Sequence, residues 1–342
     1  MSAQPMPRRA AYEGFNLLIK AVGTGERGRR SLEFDEAREA GAAVLAGDAT
    51  PAQVGAFFMA MRVKGETAEE IAGIAAALRE AAPRLDPAGG RPLVACAGAY
   101  DGVSEAPALS LVAGVVAAAA GAGIVVHCGR PLGPKYGVTA AQVLGALGGD
   151  PEPAPEASEA MLARAGIALV HAGVALPGWS RLADLRDEIG PRGPLHSAEK
   201  LVDWFGARRF VIGFTHVPFG ERLCAALELL GADRAIAIRG LEGSDIVRPG
   251  RPVAVEDEGR LELPEHLGDA VPPAPGVDLS AAVTRAVLDG DVDRVTEHAV
   301  VLSAGLRLYV AGLAPTPLRG MAHARAALGD GRAAATLDAL IG

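Results

Sequence analysis

The sequence predicts a small all-α domain followed by a larger α/β domain with a mainly parallel central sheet. Three observations carry that expectation. Residues 1–85 hold apolar side chains at helical spacing and two N-terminal capping boxes. From Arg91 onward, short β-prone runs alternate with glycine loops and helical patterns, the rhythm of parallel strands covered by helices. Half of the 342 residues are hydrophobic yet only 4% are aromatic, so Ala, Val, Leu and Gly must fill the interior, which suits helices packed closely on a sheet.

Taken in order, Ser31–Ala46 carries Leu32, Ala37, Ala40, Ala43, Val44 and Leu45 on a helical pattern that Gly47 stops. Thr50-Pro51-Ala52-Gln53 is a capping box with proline at the first helical position. The helix it opens, through Phe57, Phe58, Met61 and Arg62, is apolar around most of its circumference and is expected to be buried; Gly65 ends it. Thr67 to Glu70 form a second capping box, followed by Ile71, Ile74, Ala75 and Leu78. Pro83, Pro87, Gly89 and Gly90 read as a linker between a domain over 1–85 and one over 91–342.

Beyond the linker, Leu93–Cys96, Ile124–His127, Ile167–His171, Phe210–Phe214 and Ala235–Ile238 predict strands. Thr139–Leu147 and Arg222–Leu230 predict helices between them. Residues 186–207 read as irregular to helical, and 246–275 as a loop with a short hairpin. Leu279–Leu340 is helical again, punctuated by Gly290, Gly312 and Gly329.

The balance of 33 basic to 41 acidic residues, a net −8, excludes a surface covered by phosphate-binding charge but not a local basic groove. Cys96, Cys128 and Cys224 lie far apart without metal-ligand spacing, as expected of reduced thiols. MSAQPMPRRA lacks the apolar core of a secretory signal. Ala106–His127, the most apolar stretch, is broken by Gly114, Gly121 and Gly123, whereas a membrane span needs about 20 continuous apolar residues. These readings predict a cytoplasmic protein. GxGxxG, GxSxG and HExxH do not occur. Arg8-Arg9 and Arg27 to Arg30 form small basic clusters, read either as solvated ends or as contacts for nucleic acid.

Two stretches resemble a known family. Glu33–Glu80, containing LAGDATPAQVGAFFMAMRVKGETAEEIAGIAAALRE, and the C-terminal AVLDGDVDRVTEHAVVLSAGLRLYVAGLA are similar to the family 3 glycosyltransferases. That family includes the anthranilate phosphoribosyltransferases and the pyrimidine nucleoside phosphorylases. The resemblance implies a helical domain completed by part of 170–207, an α/β domain beside it, and a homodimer formed through the helical domain. It also implies transfer of a phosphoribosyl or other pentosyl group from phosphoribosyl diphosphate to a small aromatic acceptor.

The resemblance carries residues across place by place. Where the family has its GTGGDG loop, this chain reads Ala97-Gly98-Ala99-Tyr100-Asp101-Gly102. Gly98, Asp101 and Gly102 keep the family's character, and Tyr100 departs from it. Such loops let peptide N–H groups approach a diphosphate at the start of a helix. The Asn-x-Ser-Thr place reads Pro107-Ala108-Leu109-Ser110, leaving Ser110 as the hydroxyl. The KHGNR…SSKSG loop reads Val126-His127-Cys128-Gly129-Arg130 through Lys135-Tyr136-Gly137. The implied diphosphate site is Gly98, Asp101, Gly102, Ser110, His127, Gly129, Arg130 and Lys135, with Arg130 and Lys135 as anion ligands. Arg186, ahead of Gly193-Pro194-Leu195-His196-Ser197-Ala198-Glu199-Lys200, is implied to bind the acceptor; a surface charge on an amphipathic helix is the other reading. The HGxDGLDE place reads Arg239-Gly240-Leu241-Glu242-Gly243-Ser244-Asp245-Ile246, which leaves Asp245 and Glu242 as weak Mg2+ ligands or as an acidic turn. Domain closure is expected over a hinge near 83–91. The altered HSAEKL, RGLEG and tyrosine-bearing loops resemble a divergent branch of the family associated with nucleic acid. The alternative they imply is a catalytically degenerate homodimer holding single-stranded nucleic acid or another polyanion in the inter-domain groove.

Overall fold

The helices form where the caps dictate. A computed structural model of the chain describes residues 12–87, 89–256, 259–264, 267 and 270–342. Arg8 and Arg9 lie outside the described residues. After α1 (Phe15–Gly23), α2 (Phe34–Ala46) begins on a capping box between Glu33 and Glu36, three residues later than the apolar pattern suggested, because Ser31 and Leu32 lie ahead of the Glu33 cap, outside the helix. Thr50 and Gln53 cap α3 (Pro51–Lys64), and Thr67 and Glu70 cap α4 (Ala68–Ala81). Each threonine side chain accepts from the backbone N–H three residues on, a contribution of about 1 kcal/mol per cap. Glycine sets the closest approach. A Cβ on Gly73 would run into the Phe34 carbonyl, so α2 and α4 meet backbone to backbone.

The sheet follows from β1 (Leu93–Ala97), β2 (Gly123–Cys128) and β3 (Ile167–His171), with α5 (Ser110–Ala119), α6 (Ala140–Ala146) and α7 (Pro155–Ala165) between them. The chain then returns to the helical domain through α8 (Ala172–Ala175), α9 (Trp179–Ile189) and α10 (Leu195–Ala198). Arg181 donates to the Leu45 carbonyl, and Arg62 to the Arg192 carbonyl, so this segment is bonded to α2 and α3. β4 (Arg209–Phe214), α11 (Val217–Leu229) and β5 (Arg234–Arg239) resume the α/β layer. β6 (Ala254–Glu256) and β7 (Gly259–Leu261) form the expected hairpin. α12 (Val277–Asp289), α13 (Arg294–Val310), α14 (Pro317–Gly329) and α15 (Arg332–Ile341) close the chain.

The strand order is β3-β2-β1-β4-β5-β6-β7, parallel through β5 and antiparallel at the hairpin edge. β1 and β4 stand side by side although the segments that follow them diverge to opposite wings. Such a switch point opens a crevice at the carboxyl ends of the strands. Both faces of the sheet are covered: Val94, Cys96, Ile124, Val125, Ile167, Ala168, Leu169, Val170, Ile236 and Ile238 are all buried, the apolar run expected of parallel strands. Among the described residues no helix is long and apolar enough to cross a membrane.

Candidate active site

The crevice is framed by two loops held together. Val103 and Val138 exchange backbone hydrogen bonds at 3.0 and 2.8 Å, and the Gly137 N–H donates to the Asp101 carbonyl at 2.9 Å. Gly102 sits at φ +75°, and a Cβ there would collide with the Gly137 carbonyl. Glycine at both places is therefore required by loop contact as well as by any ligand.

Tyr100 projects from the first loop and divides the crevice. Its ring lies 4.5 Å from the His196 ring and 4.3 Å from the Arg186 guanidinium carbon, with Arg192 and Lys200 each at 5.8 Å. The phenol oxygen is buried without a hydrogen-bond partner, and burial raises its pKa. A ring therefore stands in the crevice between the two loops and the segment around His196.

The first compartment, about 170 Å3, is lined by Gly98, Ser110, His127, Gly129, Arg130, Glu152, His171, Glu199 and Asp245 over an apolar wall that includes Trp179. It brings together five of the eight expected diphosphate ligands. Asp101 and Gly102 face elsewhere, and Lys135 leans away: its Nζ donates to the Glu242 carbonyl at 2.9 Å and pairs with Asp101 at 3.3 Å. Arg130 is half-exposed and pairs with Asp184 at 2.5 Å. Both expected anion-binding cations thus already have carboxylate neighbours.

His127 is fixed by the Trp204 indole, whose Nε1 donates to Nδ1 at 2.9 Å. That bond places the neutral imidazole's proton on Nε2, 3.8 Å from a Glu199 carboxylate oxygen. Glu199 is 3% exposed and faces the compartment.

Arg186 is no surface charge. It is 5% exposed and donates to the Gly133 carbonyl, leaving Nε and Nη1 buried with no partner. A buried guanidinium with two unanswered donors costs about 1–3 kcal/mol per group until an acceptor meets it.

The expected metal pair is not a pair. Asp245 is 1% exposed; one oxygen accepts from the Ser110 hydroxyl and the other from Arg307 at 2.5 Å. Glu242 instead accepts from the N–H groups of Ser104, Glu105 and Ala106 and from the Ser104 hydroxyl. Burial works against its charged form, but those donors prevail and hold its pKa below the ordinary value. The two carboxylates answer separate donor sets because Glu242, at φ +52°, turns out of the loop toward residues 104–106. No cluster of three or more His, Cys, Asp or Glu that could hold a metal occurs among the described residues.

Arg307 was missed. It is fully buried on α13, where Nε also donates to Cys96 Sγ at 3.2 Å and Nη1 has no partner. Burial lowers its pKa, yet the attraction of Cys96 and Asp245 outweighs that and raises it. Its signal lay in the sequence: Arg307 is the single charge in the otherwise uncharged run 299–314, and a charge inside such an apolar helix needs an internal partner.

Residues 17–82 match the helical bundle domain of a glycosyl transferase family, and residues 101–334 match its a/b domain. Anthranilate phosphoribosyltransferase of Methylobacterium nodulans is 34% identical over 346 residues, covering 96% of this chain and 98% of that protein. The enzyme of that name from Xanthomonas campestris pv. campestris is 33% identical over 322 residues, covering 91% and 93%. The crystal structure of anthranilate phosphoribosyltransferase from Thermus thermophilus superposes with a TM-score of 0.82 at 31% identity, covering 91% and 95%. The Saccharomyces cerevisiae enzyme in complex with PRPP and Mg shares the fold, with a TM-score of 0.79 at 18% identity over 96% of each chain.

Proposed function

The chain belongs to the glycosyl transferase family that those helical bundle and a/b domains define, and from that membership we propose that it moves a phosphoribosyl group from phosphoribosyl diphosphate to a small aromatic acceptor. The observation that carries this reading is Arg186, buried beside the crevice with two donors unanswered. A guanidinium in that state is poised for an oxyanion on the acceptor.

The compartment supplies the rest. Diphosphate would lie along the peptide N–H groups from Gly98, the Ser110 hydroxyl and Arg130. The ribosyl carbon becomes cation-like as diphosphate leaves, and Asp245, Glu199 and Glu152 place negative charge around the same compartment. Little covalent chemistry is asked of the protein, so positioning and charge stabilisation carry the rate. Mg2+ enters as the counter-ion of the diphosphate substrate. Asp245 is the side chain that would meet it, and its charge is already shared with Arg307, which accords with weak binding of the metal. Closure over residues 83–91 would exclude water from the cation.

A homodimer is likewise proposed, with the exposed Leu17 of α1 and Val63 of α3 among the candidate contacts in the helical domain. Sedimentation of the purified chain checks it. For the transfer itself, titrate phosphoribosyl diphosphate with Mg2+ calorimetrically, then assay turnover with anthranilate and related acceptors. Binding abolished in Arg130→Ala and acceptor KM raised in Arg186→Lys are the expected results. Absence of diphosphate binding, together with salt-sensitive retention on single-stranded DNA, would replace transfer by the polyanion reading.

A further inference from the structure

Glu199 opens the turn that follows α10, within the HSAEKL stretch where the chain departs from its family. It is 3% exposed, and it lines the first compartment. Among the described residues no hydrogen bond reaches its carboxylate. His127 Nε2 stands 3.8 Å from one of its oxygens, beyond hydrogen-bond length. The imidazole is not free to close that gap, because the Trp204 indole N–H holds its Nδ1 at 2.9 Å. A buried carboxylate without donors is costly to the fold. Proteins keep such a cost where function needs the group.

The other titratable groups of the compartment are placed differently. Asp245 accepts from Ser110 and Arg307. Glu152 is exposed to solvent. His171 has a buried Nδ1 without a partner, but the charges that act on it are those of Glu152, His127 and Asp150. Glu199 acts instead on Arg186 and Lys200, and forms an ion pair with neither among the described residues. An acceptor anchored on Arg186 therefore meets the field of Glu199 rather than the ring of His171.

We infer that Glu199 takes the proton in the transfer: an amine N–H of the acceptor docks on its carboxylate and is deprotonated there as the nitrogen joins the ribosyl carbon. The inference rests on the phosphoribosyl-transfer reading and adds to it the group that removes the proton. The nitrogen lone pair forms the N–C bond. The C–O bond to diphosphate breaks, and its electron pair leaves with the diphosphate. The electrons of the N–H bond stay on nitrogen, the proton passes to a Glu199 oxygen, and solvent takes it when the product departs. His127 is not the base, since its Nε2 already carries a proton and its Nδ1 is occupied by Trp204.

Steady-state turnover of the full chain with phosphoribosyl diphosphate, Mg2+ and anthranilate or a related aromatic amine tests it, beside calorimetric titration of phosphoribosyl diphosphate. Glu199→Gln keeps the size of the side chain and removes the base. Its kcat should fall about 100-fold, while the amine KM and the diphosphate affinity stay within about threefold of the parent's. If that variant does not fold, as judged by circular dichroism, Glu199→Ala carries the test. Its rate should recover about tenfold with sodium formate and not with sodium chloride, because a small carboxylate can enter the vacated space. A kcat kept within about threefold in Glu199→Gln, or a loss confined to KM, overturns the inference and leaves the transfer reading standing. So does a rate in Glu199→Ala that formate leaves unchanged. A parent chain that turns over none of these amines overturns the transfer reading and the inference together.

Discussion

The two compartments on either side of Tyr100 share a wall but not a charge. The first gathers Glu152, Glu199 and Asp245 against a single arginine that Asp184 already holds. A second cavity on the far side, between α3 and the segment around Lys200, gathers Lys200, Arg192 and Arg62 with Asp101, Glu242 and Glu66. In a low-dielectric crevice such differences are felt strongly.

The comparison breaks most severely at Arg307. Arg307→Met leaves Asp245 buried beside Ser110 with no cation, and should cost about 3–5 kcal/mol in denaturant unfolding. A smaller loss would mean that Asp245 takes up a proton or water easily, and that the first compartment is less acidic than its geometry implies. Next in size is Tyr100→Gly, which removes the wall. Diphosphate affinity should rise by about tenfold, or ~1.4 kcal/mol, as peptide N–H groups become accessible. Unchanged affinity would show that the lost hydroxyls, and not the ring, limit the site.

Lys200 sharpens the comparison through pH. Burial lowers its pKa from 10.5 to about 8, so between those values the unfolded chain binds the proton that the folded chain has released. Stability therefore rises as pH increases from about 8 to 10.5, and below 8 the buried charge is carried at a cost. Glu199, Asp101 and Asp245 favour the charged form, and Arg192 opposes it. Lys200→Met should flatten that rise and add about 1 kcal/mol near pH 7. Denaturation at pH 7 and pH 10 reads both. The smallest effect belongs to Arg130→Gln, whose exposed pair with Asp184 should be worth under about 0.5 kcal/mol in stability. A larger loss would show that the rim of the first compartment is structurally committed.

Local chemistry was legible in the sequence. Thr50 with Gln53 and Thr67 with Glu70 announced α3 and α4, and β-branched runs announced the five parallel strands to within two residues. The family motifs located the crevice. What escaped was long-range pairing. Arg307 and Asp245 lie 62 residues apart, and Lys135 meets Glu242 across 107. No periodicity encodes such meetings. Arg186 was read with equal weight as a surface charge because its helix, α9, is amphipathic; its 5% exposure arises from the Tyr100 ring laid against it. The lining of the second cavity comes from α3, the loop holding Arg192, α10 and the turn after it with Lys200, β4 and the residues leading into α11, so only the folded chain assembles it.

The interlock of Gly102 with Gly137 ties two loops into one piece. Because Val103 and Val138 are bonded in both directions, the β1 and β2 loops form one rigid lintel over the crevice, and neither swings open alone. Gly173 and Ser180, on the segment that runs back to the helical domain, line the same compartment, so its walls are drawn from both the fixed lintel and the chain that joins the two domains.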